Sequence, residues 1–99
     1  MAANLYDEVL EGLKTATNSS IRCGELSVFL VSLGFEIRDG ARGNHKIFTH
    51  NGIEGFYSGS FDCGHGADPE VKKNYVRDIL RVLRVHETEL REYLNGEQK

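Results

Sequence analysis

Residues 33–50 read LGFEIRDGARGNHKIFTH, and within this segment the hydrophobic period changes from helical to alternating. Gly34 suits the left-handed position after a helix, where Phe35 can fold back over the last turn. Phe35 also begins an alternation of apolar and charged residues, which predicts a short strand. A turn over 39–43 follows, and residues 44–50 are predicted to form a second strand. One face of that strand carries His45, Ile47 and Thr49, and the other carries Lys46, Phe48 and His50.

Two helices are predicted before this segment. Residues 4–16 place apolar side chains at helical spacing on one face, and Asn4 can cap the first turn. Residues 17–20 form a polar break. Residues 23–33 have the same helical spacing of apolar side chains, at Leu26, Phe29, Leu30 and Leu33.

A third strand and a long helix are predicted after the segment. The pair Asn51-Gly52 is typical of a two-residue hairpin turn, so the third strand is expected over 53–61. The helix is expected over 68–94, capped by Asp68 with Pro69 at its first position. It carries an apolar stripe and a separate basic stripe. The basic stripe consists of Lys73, Arg77, Arg81 and Arg84.

The predicted order of elements is therefore α-α-β-β-β-α. A chain of 99 residues is long enough for one small domain, so we treat residues 1–99 as a single domain. Three meandering antiparallel strands offer one face to helices. We predict an α+β fold, a two-layer sandwich in which helices pack on a three-stranded antiparallel sheet.

Charge and hydropathy limit the functional classes. The formal net charge of −3 argues against a nucleic-acid binder, although the acidity lies at the two ends and the middle is nearly balanced. No apolar run approaches the ~20 residues of a membrane span, and the N-terminus lacks an apolar signal core. We therefore predict a cytoplasmic protein with no membrane segment. Its two cysteines, Cys23 and Cys63, are predicted to be reduced thiols.

His45 is the candidate for acid–base chemistry, because histidine exchanges protons near neutral pH. It begins a strand directly after a glycine-containing loop, and two cations flank it. This set suits metal-independent cleavage of an RNA phosphodiester. The histidine would remove the proton of a ribose 2′-hydroxyl, and cations would stabilise the charge that develops on the phosphate. The predicted substrate-binding residues are Arg42, Gly43, Asn44, Lys46, Lys73 and Arg77.

Other roles for the histidines are weaker alternatives. Cys63 and His65, together with His45 and His50, could be imagined as a zinc site, but the paired spacing of structural zinc sites is missing. We therefore predict no metal and no cofactor. His65 could instead approach the site as a second acid–base group.

The order of elements and several short motifs resemble the HicA toxins, which are small bacterial mRNA interferases. The family pattern G-[ST]-H-x-x-[FYW] corresponds to residues 43–48, GNHKIF. Other matching runs are Glu25-Leu26, Leu33-Gly34-Phe35 and residues 75–80, YVRDIL. The resemblance covers residues 21–85.

This resemblance implies a fold like that of a double-stranded-RNA-binding domain and metal-independent cleavage of mRNA. It also implies that His45 is catalytic and that a HicB-type antitoxin covers the site. The chain departs from the family pattern in three respects. Asn44 stands where Ser or Thr is usual, helices lengthen both ends of the chain, and the net charge is negative where these toxins are commonly basic.

The net charge of −3 and Asn44 favour a second hypothesis, a non-catalytic module of the same fold that binds RNA or a protein. Less phosphate neutralisation by basic side chains means weaker binding to RNA. The apolar face of the helix over 4–16 fits two arrangements: it packs on the same domain, or it forms a homodimer. The sequence is compatible with both.

Overall fold

The computed structural model describes residues 5–41, 44–64 and 69–97. The elements follow the chain in the order α1 (Leu5–Ala16), β1 (Ile21–Arg22), α2 (Cys23–Ser32), β2 (Glu36–Asp39), β3 (His45–Thr49), β4 (Gly59–Asp62), β5 (Glu70–Val71), α3 (Lys73–Val85) and α4 (Glu87–Glu97). The predicted helix caps Asn4 and Asp68 lie outside the described residues. None of the helices in the described ranges combines the length and the apolar character that crossing a membrane requires.

An antiparallel sheet of three strands, in the order β2-β3-β4, forms one layer. Phe48 on the central strand and Phe61 on β4 are fully buried in one core cluster with the apolar faces of the helices. His45 and Phe48 are three positions apart on β3. Because side chains alternate along a strand, His45 lies on the opposite face of the sheet from Phe48. The predicted α+β class, with helices layered on a three-stranded antiparallel sheet, is confirmed.

The helices α1, α3 and α4 pack together around Tyr6. The Tyr6 hydroxyl donates a hydrogen bond of 2.7 Å to the carbonyl oxygen of Leu83, and burial raises the pKa of this phenol. Arg91 of α4 lies over the Tyr6 ring, 4.6 Å from its centroid. The same guanidinium pairs with Asp7 at 2.8 Å and with Glu87 at 2.7 Å. The apolar face of α1 is therefore buried within its own chain.

The junction between α2 and β2 has the predicted glycine stop. Gly34 has a φ of +96°, and the amide of Phe35 donates to the carbonyl oxygen of Leu30 at 3.1 Å. These are features of a Schellman motif. His50 packs beside this turn and is only 5% exposed. Its Nδ1 accepts from the amide of Gly52 at 2.9 Å, so its Nε2 donates to the Leu33 carbonyl oxygen, also at 2.9 Å.

The predicted two-residue hairpin is wrong. Asn51-Gly52 does form a turn, but residues 50–58 make a longer loop and β4 begins only at Gly59. Within the loop Ile53 is buried, and the ring of Phe56 stacks on Phe48 at 5.9 Å. Packing of these two apolar side chains against the core favours the longer connection over the tight turn.

The predicted single helix over 68–94 is also wrong. Pro69 precedes β5, which pairs with β1 in a second, two-stranded sheet, and α3 begins only at Lys73. The chain leaves helical geometry at His86, with φ −105° and ψ 25°, and α4 starts after it. This break allows Leu90 to be fully buried in the common core.

Candidate active site

The pairing of β3 with β4 places His45 directly opposite Asp62. The Nδ1 atom of His45 lies 2.6 Å from the Oδ1 atom of Asp62. An ionised carboxylate can only accept hydrogen bonds, so Nδ1 is the protonated nitrogen of this pair. Nε2 of the neutral ring is then free to act as a base. The carboxylate therefore sets both the orientation and the tautomer of the imidazole.

The second oxygen of Asp62 is held from another element. The hydroxyl of Tyr75, in the first turn of α3, donates to Oδ2 of Asp62 at 3.0 Å. This hydrogen bond is the largest cause of a raised pKa for the Tyr75 phenol, because the proton that it donates to the carboxylate is harder to remove. His45, Asp62 and Tyr75 thus form a hydrogen-bonded chain that links β3, β4 and α3.

Gly40, which directly follows β2, packs closely against His45. The amide of Gly40 donates to the carbonyl oxygen of His45 at 2.7 Å. A Cβ atom on Gly40 would overlap the imidazole ring, so the close approach requires glycine. The histidine remains accessible, because its side chain is 36% exposed and that of Asp62 is 44% exposed. A substrate can therefore reach the pair.

Asn44 fastens the strand end beside the pair. Its carbonyl oxygen accepts from the amide of Cys63 at 2.7 Å, and its side-chain Nδ2 donates to the Cys63 carbonyl oxygen at 3.2 Å. Asn44 therefore has a structural role in joining β3 to the end of β4. From the sequence, Asn44 was predicted to bind substrate.

Two clefts meet at Asn44 and Asp62. One has a volume of about 210 Å³ and includes Ala41 and His45 in its lining. The other has a volume of about 180 Å³, and Tyr75 and Lys72 contribute to its wall. The candidate site is an open groove with an acid–base pair at its centre.

The described cations predicted to bind substrate do not gather around His45. Lys46 is the next residue along β3, so its side chain lies on the face of the sheet opposite to His45. There it pairs with Asp39. Lys73 and Arg77 are exposed on α3, and each is two residues from Tyr75, which corresponds to about 200° around the helix axis. They therefore lie on the other flank of α3. Arg42, Gly43 and His65 fall outside the described residues.

Asp62, Tyr75 and Lys72 are site residues that sequence reasoning missed. A two-residue turn at Asn51-Gly52 would pair His45 with Ser58, and the predicted strand ended before Asp62. The true loop shifts the register by four residues and brings the carboxylate opposite the histidine. The register of β3 with β4 could have identified Asp62 as the partner of His45. The predicted turn was too short, so it gave the wrong register.

The prediction of reduced thiols is wrong, because Cys23 and Cys63 form a disulfide with a Cα–Cα distance of 5.5 Å. The cysteines consequently give no support to a cytoplasmic location. The disulfide also removes Cys63 from the zinc alternative, and both ring nitrogens of His50 are already hydrogen-bonded. Among the described residues, no three His, Cys, Asp or Glu side chains are grouped so that they could hold a metal ion.

The chain matches no protein-family model, no curated protein and no solved structure.

Proposed function

We propose that this protein is a metal-independent endoribonuclease of the HicA type that cleaves mRNA, with His45 as its acid–base residue. The single observation that carries the proposal is the hydrogen bond of 2.6 Å between His45 Nδ1 and Asp62 Oδ1. A carboxylate in this position places the proton of the neutral ring on Nδ1, so Nε2 carries the lone pair, and it stabilises the imidazolium that forms when the base takes a proton. The open groove on both sides of Asp62 admits an extended substrate.

The proposed reaction is an internal transfer at phosphorus. Nε2 of His45 removes the proton of a ribose 2′-hydroxyl, and the 2′-oxygen forms a bond to the adjacent phosphorus. The bond from phosphorus to the 5′-oxygen breaks, and that oxygen must receive a proton, which the imidazolium can return. The products are a 2′,3′-cyclic phosphate and a 5′-hydroxyl. Lys72 brings a positive charge to the neighbouring cleft, where it can stabilise the charge on the phosphate.

The first test is cleavage of a mixed mRNA substrate in EDTA by the wild-type protein and by His45→Ala. Removal of a positioned acid–base group is expected to slow cleavage by about 10²–10⁴-fold. His86→Gln is the matched control, because His86 lies between α3 and α4 and contacts Phe56 and Glu89. Circular dichroism verifies that both variants are folded. Equal cleavage by wild type and His45→Ala would refute the catalytic role of His45.

A second candidate function is a non-catalytic module that binds a protein. The observation in its favour is the placement of Lys46, Lys73 and Arg77, which lie away from the His45 groove. RNA affinity depends strongly on cations that neutralise phosphates. Expression in cells separates the two candidates: an active interferase arrests growth unless a HicB-type antitoxin is present, and a binding module does not.

A further inference from the structure

We infer that Tyr75 is a positioning residue of the proposed nuclease, which holds the carboxylate of Asp62 so that this carboxylate holds the imidazole of His45. The inference rests on the proposed function and extends its site onto α3. Tyr75 lies 30 residues after His45 in the chain and belongs to a different layer of the fold. It would act through Asp62 and would not touch the reacting atoms.

The geometry gives each oxygen of one carboxylate its own partner. Oδ1 of Asp62 meets Nδ1 of His45 at 2.6 Å, and Oδ2 accepts from the Tyr75 hydroxyl at 3.0 Å. A carboxylate held at both oxygens cannot turn about its Cβ–Cγ bond without losing one of these hydrogen bonds. The phenol therefore restricts Asp62 to the orientation in which Oδ1 points at the histidine.

The phenol comes from a rigid support. Val76 and Ile79, on the same helix, are each 1% exposed in the core, so the first turn of α3 is anchored to the body of the protein. Sites that are held by packed elements keep their geometry better than sites on loops. The raised pKa of Tyr75, caused first by its hydrogen bond to Asp62, is consistent with a donor that keeps its proton at neutral pH.

The same hydrogen bond also connects α3 to β4, so it has a possible purely structural role. The experiment must therefore distinguish positioning of the Asp62 carboxylate from stabilisation of the contact between α3 and β4. Tyr75→Phe removes only the hydroxyl and keeps the ring that packs in the cleft wall. Tyr57→Phe is the matched control, because Tyr57 is 92% exposed in the loop before β4. If Tyr75 positions the site, Tyr75→Phe lowers kcat by about 10–100-fold, since small misplacements of a catalytic group are costly. KM should change by less than about twofold, and Tyr57→Phe should match wild type.

A double-mutant cycle with Asp62→Asn measures whether the effect of Tyr75→Phe on kcat depends on the Asp62 carboxylate. A purely structural role of Tyr75 does not predict such a dependence. If Tyr75 acts through the carboxylate, Tyr75→Phe has little further effect on kcat once Asp62→Asn is in place. An equal loss of kcat in both backgrounds would overturn the inference, because Tyr75 would then act without Asp62. Wild-type kcat in Tyr75→Phe would overturn it as well.

A second measurement does not depend on cleavage. Ring-nitrogen NMR distinguishes protonated from unprotonated imidazole nitrogens, and the neutral form of wild-type His45 should have its proton on Nδ1. In Tyr75→Phe the two His45 nitrogen signals should move toward each other as the ring samples both tautomers. Unchanged His45 signals would overturn the inference even if the wild-type protein cleaves no RNA. Failure of the proposed function is thereby distinguished from failure of the positioning role.

Discussion

His45 acquires its chemical character from two side chains that lie far away in the sequence. Alone at the start of a strand it would be an exposed histidine with no defined tautomer. The contact with Asp62 supplies a negative charge at Nδ1, and Tyr75 occupies the other carboxylate oxygen. Hydrogen bonds of this kind hold a functional side chain in one geometry. Of these three residues, only the histidine was identified from the sequence.

The Tyr75 phenol reports on this arrangement through its own titration. Its pKa is raised chiefly by the hydrogen bond to Asp62, so the protonated form is favoured while the carboxylate is present. The stabilising effect of this bond is fully present below the ordinary tyrosine pKa of about 10 and is lost as the pH rises through the raised value. Asp62→Asn should therefore lower the pKa of Tyr75, as measured by tyrosinate absorbance.

The chain has four tyrosines, so the titration needs a reference. Subtraction of the curve of Tyr75→Phe isolates the signal of Tyr75, and the same subtraction is made in the Asp62→Asn background. An identical Tyr75 titration with and without the carboxylate would contradict the hydrogen bond between the two side chains.

At the scale of elements, the turn between α2 and β2 determines how the sheet meets the helices. Gly34 adopts a left-handed conformation, with φ +96°, that ends the helix and directs Phe35 into the core. The turn is tightly enclosed, because a Cβ atom on Gly34 would overlap the ring of Tyr93 on α4 and lie 2.8 Å from Nε2 of His50. One residue thereby joins α2, the loop after β3, and α4.

Gly34→Ala is expected to destabilise the protein by about 1–3 kcal/mol, because alanine is strained at positive φ and its methyl group has no space. The free energy of unfolding in urea measures this loss. Gly24→Ala in α2 is the matched control, since a Cβ atom there meets nothing within 4 Å. Alanine is the better helix former, so Gly24→Ala should stabilise the protein by up to about 1 kcal/mol. A loss of stability in Gly24→Ala similar to that in Gly34→Ala would contradict the explanation.

At the scale of the whole molecule, the start of α2 is tied to the segment that follows β4. The disulfide joins Cys23 to Cys63, and the amide of Cys23 donates to the carbonyl oxygen of Pro69 at 2.9 Å. β1 pairs with β5 beside this link. Because Cys63 follows Asp62 directly, these connections also fix the end of the strand that carries the site.

Removal of the disulfide should lower the free energy of unfolding by about 2–4 kcal/mol, because the bond joins residues separated by 40 positions and restricts the unfolded chain. Urea unfolding of Cys23→Ser/Cys63→Ser against the oxidised wild-type protein measures the difference. A reducing agent should destabilise wild type and leave the double variant unchanged. Two titratable thiols in the non-reduced wild-type protein would refute the bond.

The elements that were predicted well are those with a local physical cause. The periodic apolar side chains of α1 and α2 need only neighbouring residues to make a helix amphipathic, and the stop at Gly34 needs only a residue that tolerates positive φ. The strands at 36–39 and 45–49 follow from alternation. By contrast, β1 and β5 have two residues each and exist only because Ile21 and Val71 meet. Nothing in either short run predicts a strand.

What the sequence determined by itself is the α+β class, the two N-terminal helices with their glycine stop, and the choice of His45 as the candidate base. Each of these depends on residue type and on spacing within a few turns or one strand. Only the tertiary structure decided the loop after β3, the break at His86, the disulfide, and the approach of Asp62 and Tyr75 to His45. These features depend on which distant segments are buried against each other, and local periodicity carries no information about that.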